Sequence, residues 1–305
     1  ISLGAVGIDF TALAVFSGAL GIGLLRTEFM FMNREDIPGE EEQYLALRDL
    51  IEALDGAPMT VRTLDIGGEK TAPAIVGEHN ESASSALGLR GIRLSLSRID
   101  LLKTQFRAIL RAGAHGPVRI LLPMVTSLSE IRHAREVLKK TARKLKRKKI
   151  PLADPLPPLG VMIEVPGAAL SSDALAQDSD FLAIGSNDLT MYTLAADRAD
   201  EQVAHLYNPL HPAVLRLIEF TAQAGLRARI PVSICGEMAG DPRYTALLLG
   251  LGLRELSMSA ANVPRVKQRI RNMDLVAAGG RAHIIMDQVD AGRIAMLLDD
   301  FNALA

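Results

Sequence analysis

The sequence predicts a (β/α)8 barrel, from three observations. Short β-rich apolar runs alternate with longer stretches of helical period, the pattern of an α/β parallel sheet. Eight such runs occur within 305 residues, close to the roughly 250 that eight βα units need. Four of them also stop abruptly in ionisable or reactive residues, in GIGLLRTEF, VMIEVP, FLAIGSNDLT and PVSICGE. In a barrel, the carboxyl ends of strands share one mouth. Arg26, Arg62, Glu164, Asp188 and Cys235 are therefore expected to meet there.

The predicted strands are Ser2–Ile8, Gly21–Arg26, Met59–Ile66, Val118–Met124, Leu159–Val165, Phe181–Gly185, Val232–Cys235 and Glu255–Met258. Between them, helical periodicity covers Glu40–Leu54, Asp100–Ala112, Leu128–Lys149, Ala213–Ala224 and Arg243–Leu251. Asp241-Pro242 is a sound helix start, with Asp at the cap and Pro in the first turn, and Gly250 and Gly252 close that helix. A doubly wound open sheet is the alternative, but it wants fewer strands and a glycine-rich first turn. The whole chain, 1–305, reads as one domain.

Bulk composition excludes several classes. A net charge of −1 gives no global field for nucleic acid or an anionic membrane. The single cysteine forbids an intramolecular disulfide and fits a reducing, cytoplasmic setting. No apolar run approaches the ~20 residues of a membrane span. The first residues lack a basic, signal-like segment, and the chain opens on Ile1, which reads as a piece of a longer protein. The one charge run, KKTARKLKRKK at 139–149, reads as a solvated helix face or end, with a docking patch for an acidic partner as the alternative.

Arg26, Arg62, Arg90 and Arg198 carry the first chemical signal. Guanidinium groups are almost never buried unpaired, and their planar fork matches phosphate and carboxylate oxygens. Grouped at one mouth, they would need a multiply charged anion between them; singly, each could pair with a local acid such as Glu28 or Asp65. Glu164 and Asp188 are two carboxylates on neighbouring strands, suited to Mg2+, which takes one or two protein carboxylates and leaves room for substrate oxygens. A structural salt bridge to a rim arginine is their bland reading. Asn187 could cap the next helix or offer its amide to a phosphate oxygen. Cys235 is either an inert small hydrophobe or, near arginines, a proton donor with an activated thiol. The six histidines lack metal-ligand spacing, and no GxxxxGK[ST], GxGxxG or GxSxG is present.

Seven blocks in fixed order, GIGLLRTEFMFMNR, VRTLDIGGEK, LGLRGIRLSL, ILLPMVTS, GVMIEVP, GSNDLTMYTLAADRAD and CGEMAGDPRYTALLLGLGLRELSMSA, carry a resemblance. Together they resemble the phosphoenolpyruvate-binding C-terminal domain of Enzyme I, the phosphoenolpyruvate–protein phosphotransferase of bacterial phosphotransferase systems. EVP, ILLPMVTS and GEMAGDP lean toward the nitrogen-system or multiphosphoryl branch. Pyruvate phosphate dikinase and phosphoenolpyruvate synthase share the barrel type. The resemblance implies that Arg26, Arg62 and Arg198, helped by Asn187, hold the phosphate of phosphoenolpyruvate. It implies that Glu164 and Asp188 bind Mg2+, that Arg90 is a further active-site arginine, and that Cys235 gives a proton to the enolate of pyruvate. It also implies a homodimer through this domain, near GLGLRELSMSAANVPR. The implied partners are an N-terminal phosphohistidine domain and a histidine-containing phosphocarrier protein.

The departures are specific. Ser84-Ser85-Ala86 stands where the family has Asn-Pro before its L-G-x-R, so the loop placing Arg90 is expected to differ. Ser186 and Met191 stand where Thr and Gln are common, and ISLGAVGIDF is an unusual first strand. Two other functions compete: a metal-dependent lyase or aldolase acting on oxo acids, and a regulatory relic that binds the ligand without turnover. Four phosphate-suited arginines favour the phosphotransferase.

Overall fold

The computed structural model describes residues 21–32, 34–66, 75 and 86–303. The expected strand Ser2–Ile8 and the residues Ser84 and Ser85 lie outside them. The chain divides into two compact units within one strand, between Val161 and Met162.

In the first unit, β1 (Ile22–Arg26), β2 (Met59–Arg62), β3 (Val118–Leu122) and the start of β4 (Leu159–Ile163) lie in chain order, every neighbouring pair parallel. The crossovers between them include α1 (Glu40–Ala53), α2 (Gly91–Ser97), α3 (Ile99–Ala112) and α4 (Leu128–Arg147). Helix α3 buries Leu102, Phe106, Ile109 and Leu110, a stripe of helical period that packs inward. Helix α4 starts at a capping arrangement in which the Glu130 carboxylate accepts from the Ser127 N–H at 2.8 Å. It buries Ile131, Ala134, Leu138, Ala142 and Leu145. Its lysines face outward, Lys140 toward Glu136 and Lys146 toward Asp154, both exposed pairs. The basic run is thus the solvated side of an amphipathic helix.

In the second unit, β5 (Leu182–Gly185), β6 (Val232–Cys235) and β7 (Glu255–Ser257) again run parallel in chain order. Helix α5 (Pro166–Leu170) and α6 (Ser172–Gln177) precede β5; α7 (Ser186–Leu194) and α8 (Pro212–Ala228) precede β6. After β6 come α9 (Glu237–Gly240) and α10 (Pro242–Gly250), the latter capped as expected by Asp241, whose carboxylate accepts from the Arg243 N–H at 2.9 Å. Three helices follow β7: α11 (Val263–Arg271), α12 (Leu275–Met286) and α13 (Ala291–Ala303). The α/β class read from the sequence is the one observed. Within each unit, the order and sense of the strands are those of a (β/α)8 barrel.

Four strands stop earlier than their apolar runs do, β7 by one residue at Ser257 and three others by more. β2 ends at Arg62, although Thr63 through Ile66 stay buried, because the Leu64 N–H turns to the Gln105 side chain. β3 ends at Leu122 ahead of Met124, whose φ of +57° takes the chain out of extended backbone. β4 ends at Ile163, and Pro166 opens α5 three residues later.

The approach of α8 to β6 depends on Gly225, where an added Cβ would stand 2.0 Å from Val232 Cγ2. Alanine normally gains roughly 1 kcal/mol over glycine inside a helix. Overpacking a core costs roughly 1–3 kcal/mol. The clash therefore decides the sign. Gly225→Ala is expected to destabilise the protein in urea denaturation; a stabilised variant would show that α8 can move off β6 at no cost.

Candidate active site

In the first unit the site is built on two arginines. Arg26 ends β1 and Arg62 ends β2, and the two stand in register as Cα partners. Neighbouring strands lie about 4.8 Å apart, so two like charges are held side by side. Their surroundings differ. Arg62 is 4% exposed and sits between two acids, donating from Nη2 to Glu28 and lying 3.2 Å from Asp65 Oδ2. Asp65 in turn accepts from Arg90, whose Nη2 is 2.9 Å from Oδ2 and 3.1 Å from Oδ1. The result is a buried ladder of alternating charge: Glu28, Arg62, Asp65, Arg90. For Arg62 and Arg90, then, the local-acid pairing is what the structure contains. Arg26 is exposed and has no ion-pair partner among the described residues. Among these five described residues, three guanidinium groups stand with two carboxylates.

The ladder is set by backbone, not by its charges alone. Thr27 donates to the Arg62 carbonyl at 2.8 Å, and Gln105 Nε2 donates to Thr27 Oγ1 at 3.1 Å. Gln105 Oε1 accepts from the Leu64 N–H at 2.9 Å. One buried glutamine on α3 thereby fixes both sides of Arg62, while Thr27 carries its neighbour Glu28 into place. Arg90 is placed by the tight turn that follows it. Gly91 has φ +57°, a Cβ there would meet Met124 Cβ at 2.7 Å, and the Ile92 N–H donates to the Pro123 carbonyl at 3.1 Å. A larger residue could not pass so close to the end of β3.

In the second unit, Glu164 follows β4 and is buried, with its Oε2 2.9 Å from where a Cβ on Gly185 would stand. The absence of a side chain at Gly185 makes room for that carboxylate, three residues before Asp188. Cys235, in register with Gly185, is buried, and its thiol donates to the Ile184 carbonyl at 3.4 Å. Ser186 Oγ donates to the Cys235 carbonyl at 2.7 Å, and Asn187 Oδ1 accepts from the Glu237 N–H at 3.1 Å. An amide held through its oxygen keeps its Nδ2 group as a pure donor, the polarity an anionic ligand needs. Arg198 pairs with Glu237 at 2.8 Å, with both side chains well exposed. Such a pair is worth roughly 0–1 kcal/mol and is easily exchanged for a ligand. Tyr207, which sequence reasoning missed, donates to the Asn187 carbonyl at 3.3 Å. Burial pushes its phenol above the ordinary range, with the charge of Arg198 pulling the other way. A lone tyrosine between helices gives no spacing signal that would mark it.

Among the described residues, no three His, Cys, Asp or Glu side chains form a metal-holding group. A magnesium ion asks for fewer, one or two carboxylates with water and substrate oxygens. The buried Glu164 and the half-buried Asp188 offer hard oxygen donors of that kind.

The family described as PEP-utilising enzyme, PEP-binding domain, matches residues 9–275 of this chain. The chain belongs to this phosphoenolpyruvate-binding domain family. Among its relatives, a phosphoenolpyruvate-protein phosphotransferase of Cupriavidus necator is 50% identical over 90% of this chain and 46% of its own length. Proteins of the same name from Haemophilus influenzae and Geobacillus stearothermophilus are each 44% identical, over 93% and 85% of this chain and 49% and 44% of theirs. The chain thus spans about half the length of the curated relatives it matches. A solved citrate lyase from Burkholderia xenovorans LB400 is similar at 17% identity over 79% of this chain and 69% of that one, with a TM-score of 0.47, too loose to bear on function.

In this member of the phosphoenolpyruvate-binding family, the two kinds of arginine pairing separate by energy. Breaking a buried ion pair typically costs about 3–5 kcal/mol, whereas an exposed one is worth about 1 kcal/mol or less. Asp65→Asn is expected to fall in the first class and Glu237→Gln in the second, measured by urea denaturation of each variant. Equal costs would show that the ladder is not a buried unit.

Proposed function

We propose that this chain is the substrate half of a phosphoenolpyruvate–protein phosphotransferase, taken as a single phosphoenolpyruvate-binding domain. It binds phosphoenolpyruvate with Mg2+, gives the phosphoryl group to a histidine on a separate N-terminal domain, and releases pyruvate. Arg26 is the geometric observation that carries the reading. It is an exposed guanidinium, held in register beside an arginine already paired with two acids, and so it is available to an anion. The relatives' names supply the substrate and the reaction class.

In this reading Arg26 and Arg62 hold the phosphate, Arg198 is released from Glu237 to join them, and Asn187 donates from Nδ2. Arg90 acts as the far support of Arg62 through Asp65. Glu164 and Asp188 hold Mg2+, which when bound supplies positive charge to the phosphate and carboxylate oxygens of the substrate. Phosphoryl transfer is chiefly positioning and charge neutralisation, and the guanidinium groups supply both. The histidine nitrogen forms the new bond to phosphorus as the bond from phosphorus to the enol oxygen breaks. The electron pair returns to the enolate, whose methylene carbon takes a proton from the Cys235 thiol, leaving pyruvate.

A histidine-containing phosphocarrier protein as the next acceptor, a homodimer and a cytoplasmic setting belong to the same proposal. No helix among the described residues is long and apolar enough to cross a membrane.

The test is calorimetric titration of phosphoenolpyruvate into the chain, with Mg2+ and then with EDTA. Binding is expected to need the metal. Arg26→Ala touches no structural ion pair, so it should fold normally and still lose roughly 10- to 100-fold in affinity, the worth of one or two charge-assisted hydrogen bonds. Unchanged affinity in that variant would remove Arg26 from the site.

A further inference from the structure

Ser186 has no role in the chemistry described so far, yet it is buried and makes one directed bond. Its Oγ donates to the carbonyl of Cys235 across the β5–β6 pair at 2.7 Å. The next residue repeats the gesture, since Asn187 Oδ1 accepts from the Glu237 N–H. Between these two bonds lies Gly236, at φ +101°, where an added Cβ would stand 2.4 Å from Ser186 Oγ and 2.8 Å from Asn187 Oδ1. The first turn of α7 therefore grips the turn after β6 on both sides, with glycine alone fitting beneath the grip. Tyr207 holds the gripping segment from behind, through the Asn187 carbonyl.

The consequence falls on the thiol. A cysteine at the end of a strand, followed by a glycine, has a carbonyl that could rotate freely and a χ1 that could follow it. Here the carbonyl is taken by Ser186 while the thiol rests on the Ile184 carbonyl. We propose that Ser186 is a positioning residue for Cys235, locking the Cys235–Gly236–Glu237 turn so that the thiol keeps one direction. Because Asn187 closes the same grip, the thiol and the Asn187 amide are set as one unit. The proposal rests on the reading of Cys235 as proton donor. A proton delivered to one face of a planar enolate needs a donor with one approach, and the hydroxyl that opens α7 provides it.

Cys235 is the only cysteine, so its alkylation by iodoacetamide reports the thiol directly in the full chain. Ser186→Ala is expected to speed alkylation roughly 3- to 10-fold, the span of one net hydrogen bond. Ser186→Thr, which keeps the hydroxyl, should restore the wild-type rate. The faster rate in Ser186→Ala should depend only weakly on added urea, as local opening does. An unchanged rate, a lack of rescue by threonine, or a urea dependence equal to that of global unfolding would each overturn the proposal. Phosphoenolpyruvate with Mg2+ is expected to protect wild-type Cys235. Absence of protection, with the dependence on Ser186 intact, would overturn the ligand reading alone.

Discussion

Everything in the first unit hangs on one electrostatic constraint: Arg62 is buried at a strand end and must stay charged. A guanidinium does not lose its proton, so burial can be offset only by acids or by an anionic ligand. The protein uses acids, Glu28 on one side and Asp65 on the other, and it shares Asp65 with Arg90. Once those charges are fixed, the geometry around them follows. Gln105 and Thr27 hold the backbone that aims them, and Gly91 brings Arg90 close enough to reach Asp65. The balanced ladder then lets a further guanidinium, Arg26, stand beside Arg62 without a second acid.

The second unit solves a different problem. Its exposed pair, Arg198 with Glu237, is weak by construction, and the Asn187 amide and the Cys235 thiol are held by neutral hydrogen bonds to backbone. The first unit offers fixed charge, the second exchangeable charge and oriented donors.

Much of this was legible in the sequence. Within one residue, the described strands began where the apolar runs began; Arg26, Arg62 and Cys235 end β1, β2 and β6, and Glu164 directly follows β4. The local acids named as possible partners, Glu28 and Asp65, both pair with Arg62. The expected early strand Ser2–Ile8 falls outside the described residues. Strand ends were read too long where the backbone leaves the ladder for reasons a local pattern does not carry. At Leu64 the donor goes to a side chain 41 residues away, and at Met124 the chain turns left-handed. Gln105 and Tyr207 were invisible for the same cause. Gln105 acts on Thr27 across 78 residues and Tyr207 on Asn187 across 20, and neither has a spacing that announces it. The loop before Arg90 was expected to differ, and its Ser84 and Ser85 lie outside the described residues. Arg90 itself is placed by Gly91 and by its bonds to Asp65.

The most direct test of the account is a crystal structure of this chain grown with phosphoenolpyruvate and Mg2+. The account predicts the phosphate group on Arg26 and Arg62, with Arg62 still bonded to Glu28 and Asp65, and Arg90 still on Asp65. A phosphate lodged away from Arg26, or a ladder broken to receive it, would contradict the claim that the acids balance Arg62 and leave Arg26 for the substrate.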